Sequence, residues 1–169
     1  NTLPQVHVLG RGQVMHVSLD YSVLIDYAHN GVSFESIIST VEQYNPNKLI
    51  VVYGSGGKRS KTRRYESGEV VAKHGGYSIL TADNPRGEKI VDICKDIVVG
   101  IDKYHGEYTI IPDRKEAIYH ALDMASKGDV VLLLGKGHET YMIGEDEVTR
   151  HFSETEVLEE YKKERGLSA

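Results

Sequence analysis

The stretch Val130-Val131-Leu132-Leu133-Leu134-Gly135-Lys136-Gly137-His138-Glu139 joins an apolar strand to a glycine-rich turn. Its five apolar residues do not alternate with polar ones, which is typical of a strand covered on both faces. It is the most apolar strand candidate in the chain, so we expect it to lie centrally in a sheet. The polar residues follow at the point where this strand ends.

The same unit, a short apolar strand followed by a helical pattern, recurs along the chain. Strands are predicted at residues 22–26, 49–53, 78–81, 108–111 and 130–134. Apolar residues fall on helical stripes over residues 34–41, 90–101, 117–125 and 157–161, and a further helix is predicted over about residues 63–74. Strands that alternate with helices predict βαβ units. We therefore predict an α/β fold that is Rossmann-like and doubly wound, with a mostly parallel sheet flanked by helices. A small β element or linker is expected over residues 1–20.

Local patterns predict where several elements begin. Three residues with short polar side chains are expected to cap helices, namely Ser33, Asp113 and Ser153, the last two with a glutamate three positions later. Asn84 precedes Pro85, and a residue before proline is pushed out of the helical region. We therefore expect extended backbone at Asn84.

Composition excludes several classes of protein. The chain has 169 residues, enough for one hydrophobic core, and we predict a single domain over residues 1–169. Its net charge of −5 argues against general nucleic-acid binding, and no apolar run is long enough for a membrane span. Cys94 is the one cysteine and is expected in the core. Because the chain begins at Asn1 rather than Met, we expect a fragment or a trimmed product.

The candidate functional residues lie in the loops that follow the predicted strands. Loops that leave parallel strands emerge at one edge of the sheet, where open α/β sheets bind ligands. These loops are residues 26–30, 53–59, 81–86, 112–114 and 135–139. An arginine there, such as Arg86, offers a planar fork of donors that suits a carboxylate.

Several of these residues have two interpretations. Residues 54–57 fit either a phosphate-binding loop or a tight turn, because they match neither G-x-G-x-x-G nor the P-loop pattern. The basic run over residues 58–64 is either a solvated face or, at Arg59, part of a ligand site. Glu139 is either a solvated helix-start acid or an acceptor for an ammonium group. His29 and His138 have no partner at metal-ligand spacing, so no metal site is predicted.

Five motifs in these loops resemble those of one family. They read Asp-Tyr-Ala-His at 26–29, Gly-Gly-x-Arg at 56–59, Asp-Asn-Pro-Arg at 83–86, Asp-Arg-x-x-Ala-Ile at 113–118 and Gly-Lys-Gly-His-Glu at 135–139. In this order they resemble the C-terminal domain of the Mur ligases over about residues 8–157. The resemblance is greatest to members that add meso-diaminopimelate to UDP-N-acetylmuramoyl-L-alanyl-D-glutamate in peptidoglycan synthesis.

The resemblance implies an ATP-dependent amide ligase of the cytoplasm that works through an acyl phosphate. It implies that residues 1–169 are the amino-acid-binding domain of a larger three-domain ligase. The N-terminal and central domains would be its partners, and the central domain would hold most contacts to ATP and Mg²⁺. We therefore expect this fragment alone to be inactive, with no catalytic residue and no metal ligand of its own. No nucleic-acid or membrane partner is expected.

The resemblance also implies roles for individual residues. The amino-acid pocket would be formed by Arg59, Asp83, Asn84, Arg86, Gly135 and Glu139. Contacts to ATP would come from Arg11, Asp26, His29 and Asn30. Arg86 favours diaminopimelate, because lysine has no distal carboxylate for an arginine to bind. Two alternatives stay open: a lysine-adding or other Mur-like ligase domain, and a stand-alone anion- or nucleotide-binding module.

Overall fold

A computed structural model describes residues 12–167. Along the chain the elements are β1 (Gln13–Met15), β2 (Ser22–Asp26), α1 (Gly31–Glu42), β3 (Leu49–Tyr53), α2 (Lys61–Lys73), β4 (Tyr77–Leu80), α3 (Ile90–Asp102), β5 (Tyr108–Ile110), α4 (Arg114–Met124), β6 (Val130–Leu134), β7 (Tyr141–Ile143), β8 (Thr149–His151) and α5 (Glu154–Glu164). The predicted alternation of strands and helices is confirmed from β2 to β6.

Within residues 12–167 the main sheet has six strands in the order β1-β2-β6-β3-β4-β5. Strands β2 to β6 pair in parallel, and β1 pairs antiparallel with β2. The chain adds β4 and β5 beyond β3, and then returns through α4 to place β6 between β2 and β3. Leu132 of β6 is in register with Leu24 on one side and Val51 on the other. The predicted central position of β6 and the doubly wound α/β fold are therefore confirmed.

Helices cover both faces of the sheet, which explains why its strands lack polar alternation. Leu132 and its neighbours on one face pack against α1, α2 and α3. Val131 and Leu133 point to the other face, where they pack against α4 and α5. Each large apolar side chain buried in this way contributes about 1.5–3 kcal/mol to stability. Cys94 lies in the first of these clusters, as predicted, with none of its surface exposed.

Helix caps are partly as predicted. Asp113 and Ser153 cap α4 and α5, and their side chains accept hydrogen bonds from the backbone of Glu116 and Glu156. The prediction of Ser33 as the cap of α1 is wrong. Asn30 is the cap, because its Oδ1 accepts from Ser33 N at 2.9 Å while Ser33 Oγ accepts from Asn30 N at 3.2 Å. This reciprocal pair forms a capping box.

Strands β7 and β8 form an antiparallel hairpin that was not predicted from the sequence. Two short β-prone runs, 141–143 and 148–151, flank the loop that begins at Gly144, which is a recognisable hairpin pattern. At the other end, β1 lies within the β element expected over residues 1–20, of which residues 1–11 lie outside the described part. Between residues 12 and 167, no helix is both long and apolar enough to cross a membrane.

Candidate functional site

A hollow of about 160 Å³ opens at the carboxyl ends of β2, β3, β4 and β6. Its walls include all six residues expected to bind an amino acid, namely Arg59, Asp83, Asn84, Arg86, Gly135 and Glu139, as well as His29. The loops at 26–30, 53–59, 81–86 and 135–139 therefore meet as expected. The loop at 112–114 does not line this hollow, but borders a separate groove beside β8 and α5.

The glycine-rich loop after β3 packs directly against the turn after β4. A Cβ on Gly57 would lie 1.6 Å from the carbonyl oxygen of Pro85, and one on Gly54 would lie 2.1 Å from that of Thr81. Gly57 N also donates to Asn84 O at 2.9 Å. Close backbone contact between the two loops explains these glycines.

Asn84 has left-handed backbone, with φ of 48°, so the prediction of extended backbone is wrong. Asparagine tolerates this region better than most residues. Contacts from the β7–β8 hairpin hold it there: Ile143 N donates to Asn84 Oδ1 at 2.9 Å, and Asn84 N donates to Met142 Sδ at 3.1 Å. Long-range hydrogen bonds thus override the local preference of a residue before proline.

Three arginines form the basic wall of the hollow, namely Arg59, Arg63 and Arg86. A Cβ on Gly56 would lie 3.0 Å from Arg86 Nη1 and 3.1 Å from Arg59 Cγ, so the two side chains flank this glycine closely. Arg86 Nη1 donates to Asn84 O at 3.3 Å, and Arg59 Nη1 donates to Lys58 O at 3.3 Å. Each guanidinium keeps further N–H groups for a ligand, because arginine has five donors.

Two carboxylates form the acidic wall. Glu139 has 19% of its side chain exposed, and its Oε1 lies 3.0 Å from Lys136 Nζ and 3.4 Å from Asn84 Nδ2. Asp83 is 8% exposed, and burial raises its pKa, although the positive charges of Arg114 and Lys136 oppose the rise. A Cβ on Gly135 would lie 2.3 Å from Asp83 Oδ2, and the φ of 110° at this position also favours glycine.

Three buried cations support the site, and the sequence did not single out any of them as buried. Arg114 donates to Glu154, to Ala82 O at 2.9 Å and to Leu134 O at 2.9 Å, and so joins the ends of β4 and β6. Lys136 is fully buried beneath Asn84 and Glu139.

The third buried cation, Arg64, was expected among basic residues spread around a helix, but it is 2% exposed. It donates to Asp96 and Glu88, both at 2.9 Å, and to Gly56 O at 3.3 Å. Arg64 thereby ties the glycine-rich loop to α3. No local sequence pattern distinguishes it from its exposed neighbours.

Of the residues expected to contact ATP, His29 lines the hollow at its β2 side, whereas Asp26 and Asn30 are nearby in the chain but do not line it. His29 is exposed, and its Nδ1 lies 3.1 Å from Tyr27 O. The Asn30 side-chain oxygen caps α1, and Asp26 is 2% exposed at the end of β2. Arg11 lies outside the described residues. Within residues 12–167 no group of three or more His, Cys, Asp or Glu side chains is arranged to hold a metal ion.

The hollow therefore presents three guanidinium groups and two carboxylates to the same small volume. Such a site suits a compact molecule that bears both carboxylate and ammonium groups, because each charge finds an opposite partner in the hollow.

Comparison with known proteins points to one family. The family model described as Mur ligase, glutamate ligase domain, matches residues 10–137. A curated relative from Caldanaerobacter subterraneus subsp. tengcongensis, named UDP-N-acetylmuramoyl-L-alanyl-D-glutamate--2,6-diaminopimelate ligase, is 42% identical over 158 residues, covering 94% of this chain and 33% of that protein. A protein of the same name from Clostridium perfringens is 42% identical, covering 92% of this chain and 32% of that one. The chain thus spans about a third of the length of these relatives.

Solved structures agree on the fold. A structure described by the same ligase name superimposes with a TM-score of 0.84 at 30% identity, over 94% of this chain and 32% of that one. A bifunctional folylpolyglutamate synthase/dihydrofolate synthase from Yersinia pestis gives a TM-score of 0.55 at 18% identity, over 73% of this chain and 27% of that one. The second likeness concerns the fold alone.

Proposed function

This chain belongs to the Mur ligase family, and from that membership we propose that it is the C-terminal domain of a larger, three-domain ATP-dependent ligase. The complete enzyme would act in the cytoplasm and add meso-diaminopimelate to UDP-N-acetylmuramoyl-L-alanyl-D-glutamate during peptidoglycan synthesis. The printed names of the curated relatives support this reaction. The other two-thirds of the enzyme would be the N-terminal and central domains, so the fragment alone would not turn over.

One observation supports the amino-acid pocket most directly: Arg59, Arg86, Asp83 and Glu139 line a single hollow. Diaminopimelate has two carboxylates and two ammonium groups, and this hollow has three guanidinium groups for the carboxylates and two carboxylates for the ammonium groups. Arg86 would bind the distal carboxylate, which lysine lacks. Desolvated hydrogen-bonded pairs of this kind discriminate strongly between amino acids that differ by one polar group.

ATP would bind between this domain and the central one, and when bound it supplies the phosphoryl group that activates the glutamyl carboxylate. His29 is the group best suited to reach the nucleotide, because its ring is exposed at the wall of the hollow. Asn30 has its side-chain oxygen engaged in the cap, which leaves its amide N–H groups for a ligand. Asp26, which is buried at the end of β2, and Arg11 would be further contacts to ATP. Most contacts to ATP and Mg²⁺ would come from the central domain.

The proposal is tested with Arg86→Ala in the complete enzyme. We expect the KM for diaminopimelate to rise by about 10²-fold, because the substrate carboxylate would lose a desolvated charged partner. Arg150→Ala is the matched control, since Arg150 is exposed on β8 and outside the hollow. The measurement is ADP release as a function of diaminopimelate concentration.

Three results would contradict parts of the proposal. An unchanged KM in Arg86→Ala would remove the pocket assignment. A parent enzyme that uses lysine in place of diaminopimelate would favour the lysine-adding alternative. ATP turnover that depends on no amino acid would favour a nucleotide-binding module of another kind.

A further inference from the structure

Lys136 is a fully buried lysine beside the pocket, and it does not line the hollow. Its Nζ lies 3.0 Å from Glu139 Oε1, 3.2 Å from Asn84 Oδ1 and 2.5 Å from Tyr141 O. An ammonium group has three N–H donors, and here each of the three has an oxygen acceptor. The ammonium group therefore holds two pocket side chains and the start of the β7–β8 hairpin together.

These contacts determine which end of the Asn84 amide faces the hollow. Both Lys136 Nζ and Ile143 N can only donate, and both lie within hydrogen-bonding distance of Oδ1. The amide oxygen must therefore point toward them, and the NH₂ group must point the other way. One of its N–H groups faces Glu139 Oε1 at 3.4 Å, which leaves the second for a ligand.

The same contacts give the two carboxylate oxygens of Glu139 different roles. Oε1 is occupied by Lys136 and Asn84. Between residues 12 and 167, no protein donor forms a hydrogen bond with Oε2. Since Glu139 lines the hollow, Oε2 is the oxygen that remains for an ammonium group of a ligand.

We infer that Lys136 is a positioning residue for substrate selection. By holding Asn84 Oδ1 and Glu139 Oε1, it presents one amide donor and one carboxylate acceptor side by side. That pair matches an amino acid whose distal end has a carboxylate next to an ammonium group. A distal ammonium alone, as in lysine, uses only the acceptor. This inference rests on the proposed function and concerns how the same pocket selects its amino acid.

The first test is Lys136→Met in the complete enzyme, with Lys115→Met as the control. Lys115 also loses one positive charge, but its side chain is 45% exposed on α4. In Lys136→Met we expect the KM for diaminopimelate to rise by about 10–100-fold, with a change in kcat of less than about threefold. The ratio of kcat/KM for diaminopimelate to that for lysine should fall by about tenfold or more. Lys115→Met should match the parent in all three quantities.

The second test is Asn84→Asp, which keeps an oxygen acceptor for Lys136 and Ile143 and removes the amide donor. We expect a rise of about 10²-fold or more in the KM for diaminopimelate, because an oxygen would now face the substrate carboxylate. Circular dichroism and thermal melting would verify that both variants fold. If Lys136→Met does not fold, Asn84→Asp still tests the amide orientation that Lys136 and Ile143 impose together.

Two outcomes would overturn the inference while the parent enzyme still uses diaminopimelate. One is a folded Lys136→Met with the parent's KM and the parent's preference over lysine. The other is Asn84→Asp with an unchanged KM, which would mean that the amide oxygen already faces the hollow. A parent enzyme that does not use diaminopimelate would instead overturn the proposed function.

Discussion

Replacing Arg114 by methionine should destabilise the chain more than any loss of a surface charge. Arg114 has 1% of its side chain exposed, and Glu154, its partner at 2.7 Å, has none exposed. The two further donors of Arg114 bind Ala82 O and Leu134 O, which are themselves in buried residues. Methionine would fill a similar volume but would leave one buried carboxylate and two carbonyl groups without this donor.

The expected loss of folding free energy in Arg114→Met follows from those contacts. Breaking a buried ion pair by removing one partner costs about 3–5 kcal/mol, chiefly because the remaining charge is uncompensated. A domain of this size has a total stability of about 5–15 kcal/mol, so the loss is a large share of it. Replacing Glu154 as well, in Arg114→Met/Glu154→Met, removes the stranded charge and should recover about 2 kcal/mol or more.

The stability lost in Arg114→Met should also depend on pH. Burial raises the pKa of Glu154, and the positive charge of Arg114 opposes that rise. Without Arg114 the folded-state pKa should rise further above the unfolded-state value. A carboxyl group whose pKa is higher in the folded state stabilises the fold fully only below its unfolded-state pKa. That contribution is lost as the pH rises through the folded-state pKa. Arg114→Met should therefore be closer to the parent in stability at pH 5 than at pH 7.5.

Guanidinium denaturation followed by far-UV circular dichroism is the suitable measurement, since the chain has no tryptophan. Arg150→Met is the control, because Arg150 and Asp146 form an exposed pair whose loss should leave the midpoint unchanged. The reasoning would be refuted if Arg114→Met cost less than about 1 kcal/mol. It would also fail if the double variant were no more stable than the single one.

Two further predictions concern titratable groups. Hydrogen bonds from Arg64 and from the backbone of Lys58 lower the pKa of Glu88, so Glu88 should contribute stability that is lost as pH falls below its ordinary value of 4.5. Glu88→Gln should therefore lose less stability than the parent in denaturation series between about pH 5 and pH 3, and an equal loss would contradict this. Burial raises the pKa of Cys94 to about 12, so its thiol should resist alkylation by iodoacetamide at pH 8 in the folded chain and react once the chain is unfolded. Mass spectrometry would measure the alkylation, and rapid modification of the folded chain would contradict this prediction.

Much of the fold could be predicted from short-range patterns. The unalternating run at residues 130–134 indicated a strand covered on both faces, and β6 is central with helices on each side. The parallel topology then placed four of the five candidate loops around one hollow. The caps at Asp113 and Ser153 were predictable because a cap bonds a backbone group only three residues away.

The sequence by itself therefore determined the α/β architecture, the edge where the site lies and part of the set of side chains that line it. Only the tertiary structure decided the left-handed backbone of Asn84, the burial of Lys136 and Arg64, and the packing of the β7–β8 hairpin against the pocket. The physical reason is distance along the chain. Asn84 is held by Ile143, 59 residues away, and Lys136 reaches Asn84 across 52 residues. Propensities and spacing describe neighbours in sequence, whereas these residues take their conformations from partners that only folding brings near.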